Sequence, residues 1–141
     1  MSFFYTPPPI VVDASATIEM LANNDKWIAT FKDWSANNRV LLAPAGFLPE
    51  LANGLMLGLG RLAAGSAAAR IDLALASGIE IADRGLVGLY EAMRLAQAHG
   101  LTVYDALYLQ LALDVDAELA TEDRQLMRAA IAEGVTLISE T

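Results

Sequence analysis

Five short apolar runs alternate with longer helical segments along the chain, and this alternation restricts the fold more than any other feature of the sequence. The runs are PIVVD at 9–13, VLLA at 40–43, IEIA at 79–82, AELA at 117–120 and VTLI at 135–138. Strands that are connected through helices usually lie parallel in one sheet, with helices covering its faces. The pattern therefore predicts an α/β domain with a five-stranded, mainly parallel sheet flanked by helices.

Helix-start and helix-stop residues mark the segments between these runs. Asp25 is predicted as an N-cap, and Pro49 falls in the first turn of a helix. Ser66 is expected to open another helix that Gly78 closes. The predicted helices are residues 14–22, 25–36, 46–62, 66–78, 86–98, 102–113 and 122–133. No repeat, low-complexity tract or internal linker interrupts this order.

Length and composition indicate a single folded domain. The chain has 141 residues, of which 55% are hydrophobic, and it can bury most of the surface that its unfolded form exposes. We expect a flexible tail at residues 1–8 and one domain at residues 9–141. Charged residues interrupt the apolar stretches before they reach the ~20 residues of a membrane span, and the N-terminus lacks a basic signal-peptide start. A cytoplasmic protein without membrane contact is therefore expected.

The lack of cysteine and the acidic charge limit the chemistry. Thiolate metal sites and thiol nucleophiles are excluded, so a metal ion would need oxygen ligands or His99, the single histidine. His99 precedes Gly100 at a helix end, where an interaction with the helix dipole is the simpler expectation. A formal net charge of −8 argues against a broad basic surface for nucleic acid. A polyanionic substrate would need positive charge at the site itself.

Four acidic side chains fall at the predicted carboxyl edge of the sheet, outside which ligands of such sheets bind. They are Asp13 at the end of the first strand, Glu50 in the helix after the second, Asp105 in the helix that leads into the fourth, and Asp123 after the fourth. Asp116, by contrast, precedes its strand and is expected at the opposite edge.

Each of the four acids also has a local explanation. Asp13 and Asp123 lie at helix starts, Glu50 lies in a first turn, and Thr102 with Asp105 forms a capping-box pattern. Together, however, charges about 5 Å apart would repel by about 3 kcal/mol per pair at an effective dielectric of about 20. Since the whole stability of a domain is only ~5–15 kcal/mol, the acids are apart, partly protonated or joined by a cation. All-oxygen ligands suit Mg²⁺ or Mn²⁺.

Asp105 has the most unusual surroundings of the four. It lies in VYDALYLQLAL (103–113), and on a helix it shares a face with Tyr108, Leu109 and Ala112. An unpaired charge on such an apolar face is costly, so a cation at this position is one explanation for the carboxylate.

The segments IVVDASA, LAPAGFLPELANGL, LTVYDALYLQLAL and LATEDRQL occur in an order and at separations that resemble the PIN domain, and specifically the VapC toxins of bacterial VapBC toxin–antitoxin pairs. The resemblance extends from Pro9 to Ile138. It implies a PIN-like three-layer fold and an endoribonuclease that uses Mg²⁺, for which Mn²⁺ can substitute. The catalytic and metal-binding acids of the family match Asp13, Glu50, Asp105 and Asp123.

The resemblance also implies supporting residues and a partner. Thr121 matches a polar position beside the site, and Ser15 lies where a hydroxyl can order a water or a phosphate. A VapB-like antitoxin is expected to cover the acidic site with its tail. Hydrolysis of RNA would be expected to leave a 5′-phosphate and a 3′-hydroxyl.

Two further features concern binding. Arg124 and Arg128, one helical turn apart beside Asp123, are candidates to hold RNA phosphates, although a solvated helix face is the simpler explanation. The apolar segments GLMLGLGRLAAG and LALASG exceed what so small a monomer readily buries, which favours a homodimer and a groove for a partner helix. An alanine-rich core helix is the alternative.

Other classes of function stay open on the sequence. A receiver-like phosphoacceptor domain also binds Mg²⁺, but it needs adjacent acids after the first strand and a lysine after the last, whereas Lys26 and Lys32 are the only lysines. A non-catalytic acidic α/β module that binds a protein partner would be expected to lack one of the four acids, and none is missing. A nuclease that acts on DNA would differ only in substrate.

Overall fold

A computed structural model describes residues 6–58 and 60–138 of the chain. Within them, five strands form one sheet in the order β3-β2-β1-β4-β5, and every neighbouring pair is parallel. The strands are β1 (Ile10–Val12), β2 (Leu41–Ala43), β3 (Ile79–Ile81), β4 (Glu118–Ala120) and β5 (Leu137–Ile138). The predicted α/β fold with a five-stranded parallel sheet is confirmed.

Seven helices flank the sheet in the part of the chain that is described. They are α1 (Ala14–Leu21), α2 (Asp25–Ala36), α3 (Phe47–Leu57), α4 (Ala64–Ala76), α5 (Gly85–His99), α6 (Val103–Asp114) and α7 (Arg124–Ala132). α5 packs along α6, while α1 packs against α2 and α3. These helices cover the apolar faces that parallel strands cannot leave in water.

The core is centred on β1 and α6. Ile10, Val11 and Val12 of β1 have no exposed surface, because the strand lies in the middle of the sheet. α6 has buried side chains on nearly all of its sides, since it contacts β1, β4, α5 and α7. A helix with this environment has little freedom to shift, so it holds the residues of its first turn firmly in place.

Two predicted helix boundaries and one predicted helix cap are wrong, each for a local reason. α2 is capped by Asn24, whose side chain accepts hydrogen bonds from the amides of Lys26 and Trp27, so Asp25 is the first helical residue rather than the cap. α3 ends at Leu57 instead of residue 62, because Gly58 adopts an extended conformation. α4 begins at Ala64, two residues before Ser66.

The chain before β1 is bound to the domain where it is described. The carbonyl of Pro8 accepts a hydrogen bond of 2.9 Å from the Arg39 guanidinium, and the carbonyl of Pro9 accepts one of 2.9 Å from the amide of Glu118. Residues 1–5 of the predicted tail lie outside the described residues. Among residues 6–58 and 60–138, no helix combines the length and apolarity that a membrane span needs.

Candidate active site

The order of strands in the sheet reverses between β1 and β4. From β1 the chain adds β2 and β3 on one side, and it then crosses to add β4 and β5 on the other. The crevice at the carboxyl ends of two such strands is the usual ligand-binding position in open parallel sheets. Asp13 directly follows β1 and Thr121 directly follows β4, so both residues lie at this crevice.

Asp13 is only 4% exposed, and both of its carboxylate oxygens accept hydrogen bonds. Oδ1 accepts from the Ser15 hydroxyl at 2.7 Å and from the Ala16 amide at 2.9 Å, so Asp13 caps α1 as well. Oδ2 accepts from the hydroxyl of Thr121. Burial raises the pKa of Asp13 from 3.8 to about 6, against the lowering effect of these three hydrogen bonds, and the charge of Asp123 raises it further. Asp13 therefore caps α1 and also has a raised pKa, so its structural role does not exclude a role in the site.

Two hydroxyl groups join the end of β1 to the end of β4. The Ser15 hydroxyl donates to Asp13 and accepts from the amide of Glu122 at 2.9 Å. The Thr121 hydroxyl donates to Asp13 and accepts from the amide of Asp123 at 2.9 Å. Both predicted supporting residues therefore lie beside Asp13, where they orient its carboxylate and the loop that carries Asp123.

Glu50, in the first turn of α3, accepts a hydrogen bond of 3.1 Å from the Tyr108 hydroxyl of α6. Burial raises the pKa of Glu50 from 4.5 to about 7; the hydrogen bond from Tyr108 lowers it, while the charges of Asp105, Asp13 and Asp123 raise it. Burial and the neighbouring Glu50 also raise the pKa of Tyr108, which keeps its hydroxyl protonated as a donor. Without a metal ion, the carboxyl group of Glu50 is therefore partly protonated near neutral pH.

Asp105 lies at the start of α6 and is half-buried. Thr102 caps this helix by accepting a hydrogen bond of 3.2 Å from the Asp105 amide. Tyr108 and Leu109 on the same face are at most 1% exposed, so the predicted apolar face exists, but Asp105 stands at its open end rather than within it. Burial, followed by the charge of Asp123, raises the pKa of Asp105, whereas a hydrogen bond with Thr102 lowers it.

Asp123 is the N-cap of α7, where Oδ1 accepts from the amides of Gln125 at 2.8 Å and Leu126 at 3.1 Å. Its charge raises the pKa of Asp13, Glu50 and Asp105. The structure therefore places the four predicted acids in one electrostatic cluster, although Asp13 and Asp123 also serve as helix caps.

The donor set is compatible with a hard divalent cation that keeps much of its water. Carboxylate oxygens that raise one another's pKa are stabilised by a positive ion between them. Within residues 6–58 and 60–138, no three acidic or histidine side chains are placed to bind one ion together. Mg²⁺ commonly binds through one or two carboxylates and retains several waters, a coordination that this donor set allows.

Both predicted basic residues lie on α7, where Arg124 directly follows Asp123 and Arg128 lines a pocket beside His99. Arg124 and Arg128 are exposed, and neither forms an ion pair with another residue in the described ranges. His99 ends α5 and contacts Glu133, with 2.6 Å between His99 Nε2 and Glu133 Oε2. It is therefore engaged with a carboxylate at a helix end, in line with the dipole interpretation rather than a metal-ligand role.

Two contacts of the site were missed by the sequence analysis. Helix periodicity predicts Tyr108 only as an apolar neighbour of Asp105, yet its hydroxyl donates a hydrogen bond to Glu50 on another helix. Trp27 Nε1 donates a hydrogen bond of 2.6 Å to the carboxylate of Glu122, which holds α2 against the loop after β4. The position of Tyr108 one helical turn after Asp105 was a signal in the sequence for the contact with Glu50. The contact between Trp27 and Glu122 joins residues 95 apart, so no local pattern could predict it.

Fold and site together define a class of small parallel α/β domains with an acidic crevice at the point where strand order reverses. The family model of the PIN domain matches residues 10–132, and the chain belongs to the PIN domain family. No curated protein matches the sequence significantly.

Solved structures with the same fold include three that match nearly whole chains. PAE2754 from Pyrobaculum aerophilum is 28% identical with a TM-score of 0.67, and the match covers 94% of this chain and 92% of that one. DNA-bound VapBC from Salmonella typhimurium is 14% identical with a TM-score of 0.70, covering 93% and 97%. VapC20 of Mycobacterium tuberculosis, a toxin that cleaves the sarcin–ricin loop, is 16% identical with a TM-score of 0.68, covering 85% and 94%.

Proposed function

We propose that this protein is a Mg²⁺-dependent endoribonuclease and the toxin of a VapBC-like toxin–antitoxin pair. The observation that carries the proposal is the electrostatic cluster of Asp13, Glu50, Asp105 and Asp123 at the crevice between β1 and β4. Membership of the PIN domain family and the fold shared with VapC20 support a nuclease that acts as a toxin.

In this mechanism one or two of the four acids would bind the ion directly and the others would bind it through its waters, while the groups around them keep the acids in place. A divalent cation held at Asp13, Glu50, Asp105 and Asp123 would supply a water of lowered pKa and would screen the charge of the incoming phosphate. Ser15 and Thr121 fix the orientation of Asp13 through hydrogen bonds to its two oxygens. Tyr108 orients Glu50, whose carboxylate would bind the ion or one of its waters.

The direct test uses single-stranded RNA and single-stranded DNA of the same sequence with the purified protein. With Mg²⁺ or Mn²⁺ we expect cleavage of RNA, products with a 5′-phosphate, and complete inhibition by EDTA. Cleavage of DNA alone would change the substrate class, and no cleavage of either strand would favour the non-catalytic partner-binding alternative.

An antitoxin partner is proposed to bind the groove between α1, α2 and α4. The cavity measures about 460 Å³, and Lys32 and Arg70 lie beside its apolar lining. The apolar residues are Met20, Leu21, Ile28, Phe31, Leu73 and Ala76. An amphipathic segment with acidic residues at its edges would fit this surface. A short neighbouring gene for a DNA-binding antitoxin, able to relieve growth arrest caused by this protein, would support the pairing.

Arg124→Ala is expected to weaken RNA binding without removing catalysis. Arg124 is exposed beside Asp123, where its charge can contact a phosphate but no carboxylate of the described residues pairs with it. Loss of one phosphate contact should make the slope of log K against log salt shallower by about 0.7 for a single strand. Arg94→Ala is the matched control, because Arg94 is paired with Glu91 at 2.8 Å. If the salt slope of Arg124→Ala equals that of the wild type, Arg124 does not contact RNA and belongs to a solvated helix face.

The protein without its antitoxin is expected to sediment as a dimer through α3 and α4. Leu57 of α3 and Leu75 of α4 are 74% and 39% exposed, and neither lines the groove proposed for the antitoxin. Leu57→Glu should shift the protein toward monomer. Val87→Glu on α5, where Val87 is 76% exposed, serves as the comparison. A wild-type monomer at every concentration would contradict the dimer, and dissociation by Val87→Glu alone would place the interface on α5.

A further inference from the structure

A second cleft lies beside the acidic cluster, outside the carboxyl ends of β2 and β3. Pro44 follows β2 and Ala82 follows β3, and the start of α5 with one side of α6 closes the cleft. Its volume is about 370 Å³, which is within the range of roughly 300–1,000 Å³ that is typical of small-ligand pockets. Most of its walls are apolar, formed by Pro44, Ala45, Leu86, Leu89, Leu107 and Leu111.

Gln110 of α6 supplies an amide to this cleft. The side chain is 7% exposed and borders both the cleft and an adjoining cavity of about 380 Å³. Within residues 6–58 and 60–138, no group forms a hydrogen bond with its amide. The amide atoms are not enclosed, since Arg39 Nε is the only fully buried side-chain nitrogen or oxygen of the described residues that lacks a partner. The Gln110 amide therefore reaches the cavity, where a group from outside the chain can form a hydrogen bond with it.

Gly88 of α5 leaves the space that Gln110 occupies. A Cβ atom at Gly88 would lie 3.1 Å from Gln110 Oε1 and 2.6 Å from the Cβ of Arg84. Any larger residue would push the amide or separate α5 from α6. The glycine and the glutamine are therefore parts of one arrangement, which keeps an amide at the base of an apolar cleft.

The charged groups near the cleft already have partners. Arg84 forms an ion pair with Asp114, and the Asp83 carboxylate accepts a hydrogen bond of 2.9 Å from the amide of Gly85. What remains for a ligand is apolar wall and a neutral amide that can both donate and accept. This combination favours a flat, uncharged group with hydrogen-bonding atoms on its edge over a phosphate or a carboxylate.

The cleft and the acidic cluster lie at the same edge of the sheet, because Pro44 follows β2 and Asp13 follows the neighbouring strand β1. Asp105 and Gln110 lie on different faces of α6, about 7.5 Å apart along its axis and about 140° apart around it. Pro44 and Ala45 lie in the same connection between β2 and α3 that leads to Glu50. A chain bound across the acids can therefore place its next unit in the cleft.

We propose that this cleft binds one unstacked nucleobase of the RNA substrate, with the Gln110 amide reading the hydrogen-bonding edge of the base. The inference rests on the proposed ribonuclease function. Sequence-specific recognition of single-stranded RNA uses bases that are turned out of the stack, held by apolar surfaces and hydrogen-bonded on their edges. Gln110 is thus a residue that determines specificity, while the acids act on the phosphate.

The first test measures binding without metal or cleavage. The four ribonucleosides and free ribose, all uncharged, are titrated into the ¹⁵N-labelled protein in EDTA, and the side-chain NH₂ signal of Gln110 is assigned by its loss in Gln110→Met. We expect at least one nucleoside to shift this signal with a Kd at least tenfold lower than that of ribose. Equal shifts with all five compounds, or no shift with any, would overturn the proposal.

The second test compares variants. Gln110→Met removes the amide at similar size, so it should abolish the difference between bases in cleavage rates of RNAs that vary at one position, without lowering the Tm. Gln97→Met, on the exposed side of α5, is the matched control and should keep the preference. A lower Tm with an unchanged base preference would assign Gln110 a structural role instead. If RNA is not cleaved but nucleosides still bind, the proposed ribonuclease fails while the base-binding cleft stands.

Discussion

Asp105→Asn is expected to lower the rate of RNA cleavage by at least about a thousandfold, which corresponds to about 4 kcal/mol in the activation barrier. The substitution keeps the shape of the side chain and removes one charge from the acidic cluster. Asp105 is half-buried at the open end of the apolar face of α6, and the negative charge of Asp123 is close enough to raise the pKa of its carboxyl group. A carboxylate that helps to hold a cation there cannot be replaced by a neutral amide.

The same variant should be more stable than the wild type when no metal is present. Burial and the charge of Asp123 raise the pKa of Asp105, so its ionised form is disfavoured in the folded state. Asparagine removes that cost, and the Asp105 amide that bonds to Thr102 is a backbone group that the variant retains. Melting curves in EDTA near pH 8 should show a higher Tm for Asp105→Asn, whereas Mn²⁺ should raise the Tm of the variant less than that of the wild type.

Asp72→Asn on the exposed surface of α4 is the control for the loss of one negative charge. It should leave cleavage and the metal-induced shift in Tm unchanged. If Asp105 were only a first-turn residue, its replacement would cost about 1 kcal/mol or less, and activity would survive. Full activity together with a full metal-induced shift in Asp105→Asn would refute the assignment of this residue to the site.

The metal-free protein is expected to lose stability as the pH rises from about 4 to about 7, because folding raises the pKa of two carboxyl groups. Asp13 rises from 3.8 to about 6, and Glu50 rises from 4.5 to about 7, chiefly through burial. Each contributes stability that is fully present below its unfolded pKa and is lost as the pH rises through its folded pKa. The shift at buried Asp13 is worth about 3 kcal/mol, and that at Glu50 is worth less because solvent screens a partly exposed group.

Glu50→Gln isolates this effect. The variant should gain free energy of unfolding relative to the wild type above pH about 7 and show little difference below pH about 4.5, as measured by urea denaturation in EDTA at a series of pH values. Mn²⁺ at pH 8 should restore most of the stability that the wild type loses. Glu80→Gln on β3, where Glu80 is exposed, is the control and should run parallel to the wild type. A difference between Glu50→Gln and the wild type that does not change with pH would contradict the raised pKa of Glu50.

Local sequence pattern was sufficient to predict the order of the strands and helices and the edge of the sheet at which the four acids lie. Alternation of apolar runs and helical segments is a property of neighbouring residues, so the five strands and the presence of seven helices could be predicted with errors only at their ends. Those errors, at Asp25, at the end of α3 and before Ser66, arose where several residues compete to cap a helix and tertiary contacts decide which one succeeds.

The hydrogen bond between Thr121 and Asp13 could not be predicted from local sequence pattern. Nothing in either segment specifies that β4 pairs with β1, yet this pairing brings together hydroxyl and carboxylate groups 108 residues apart. The same holds for Tyr108 and Glu50, which are 58 residues apart. The pKa shifts follow from these contacts and from burial, which a linear sequence does not contain.

The sequence by itself determined that this chain forms a parallel α/β domain and that its acids lie at one edge, because both follow from side-chain periodicity and from chain direction. Only the tertiary structure decided which of those acids is buried, which group holds each one, and that Gly88 leaves room for the amide of Gln110 beside a cleft. These properties depend on the packing of elements that are distant in the chain, and packing is set by the shapes of all the contacting side chains together.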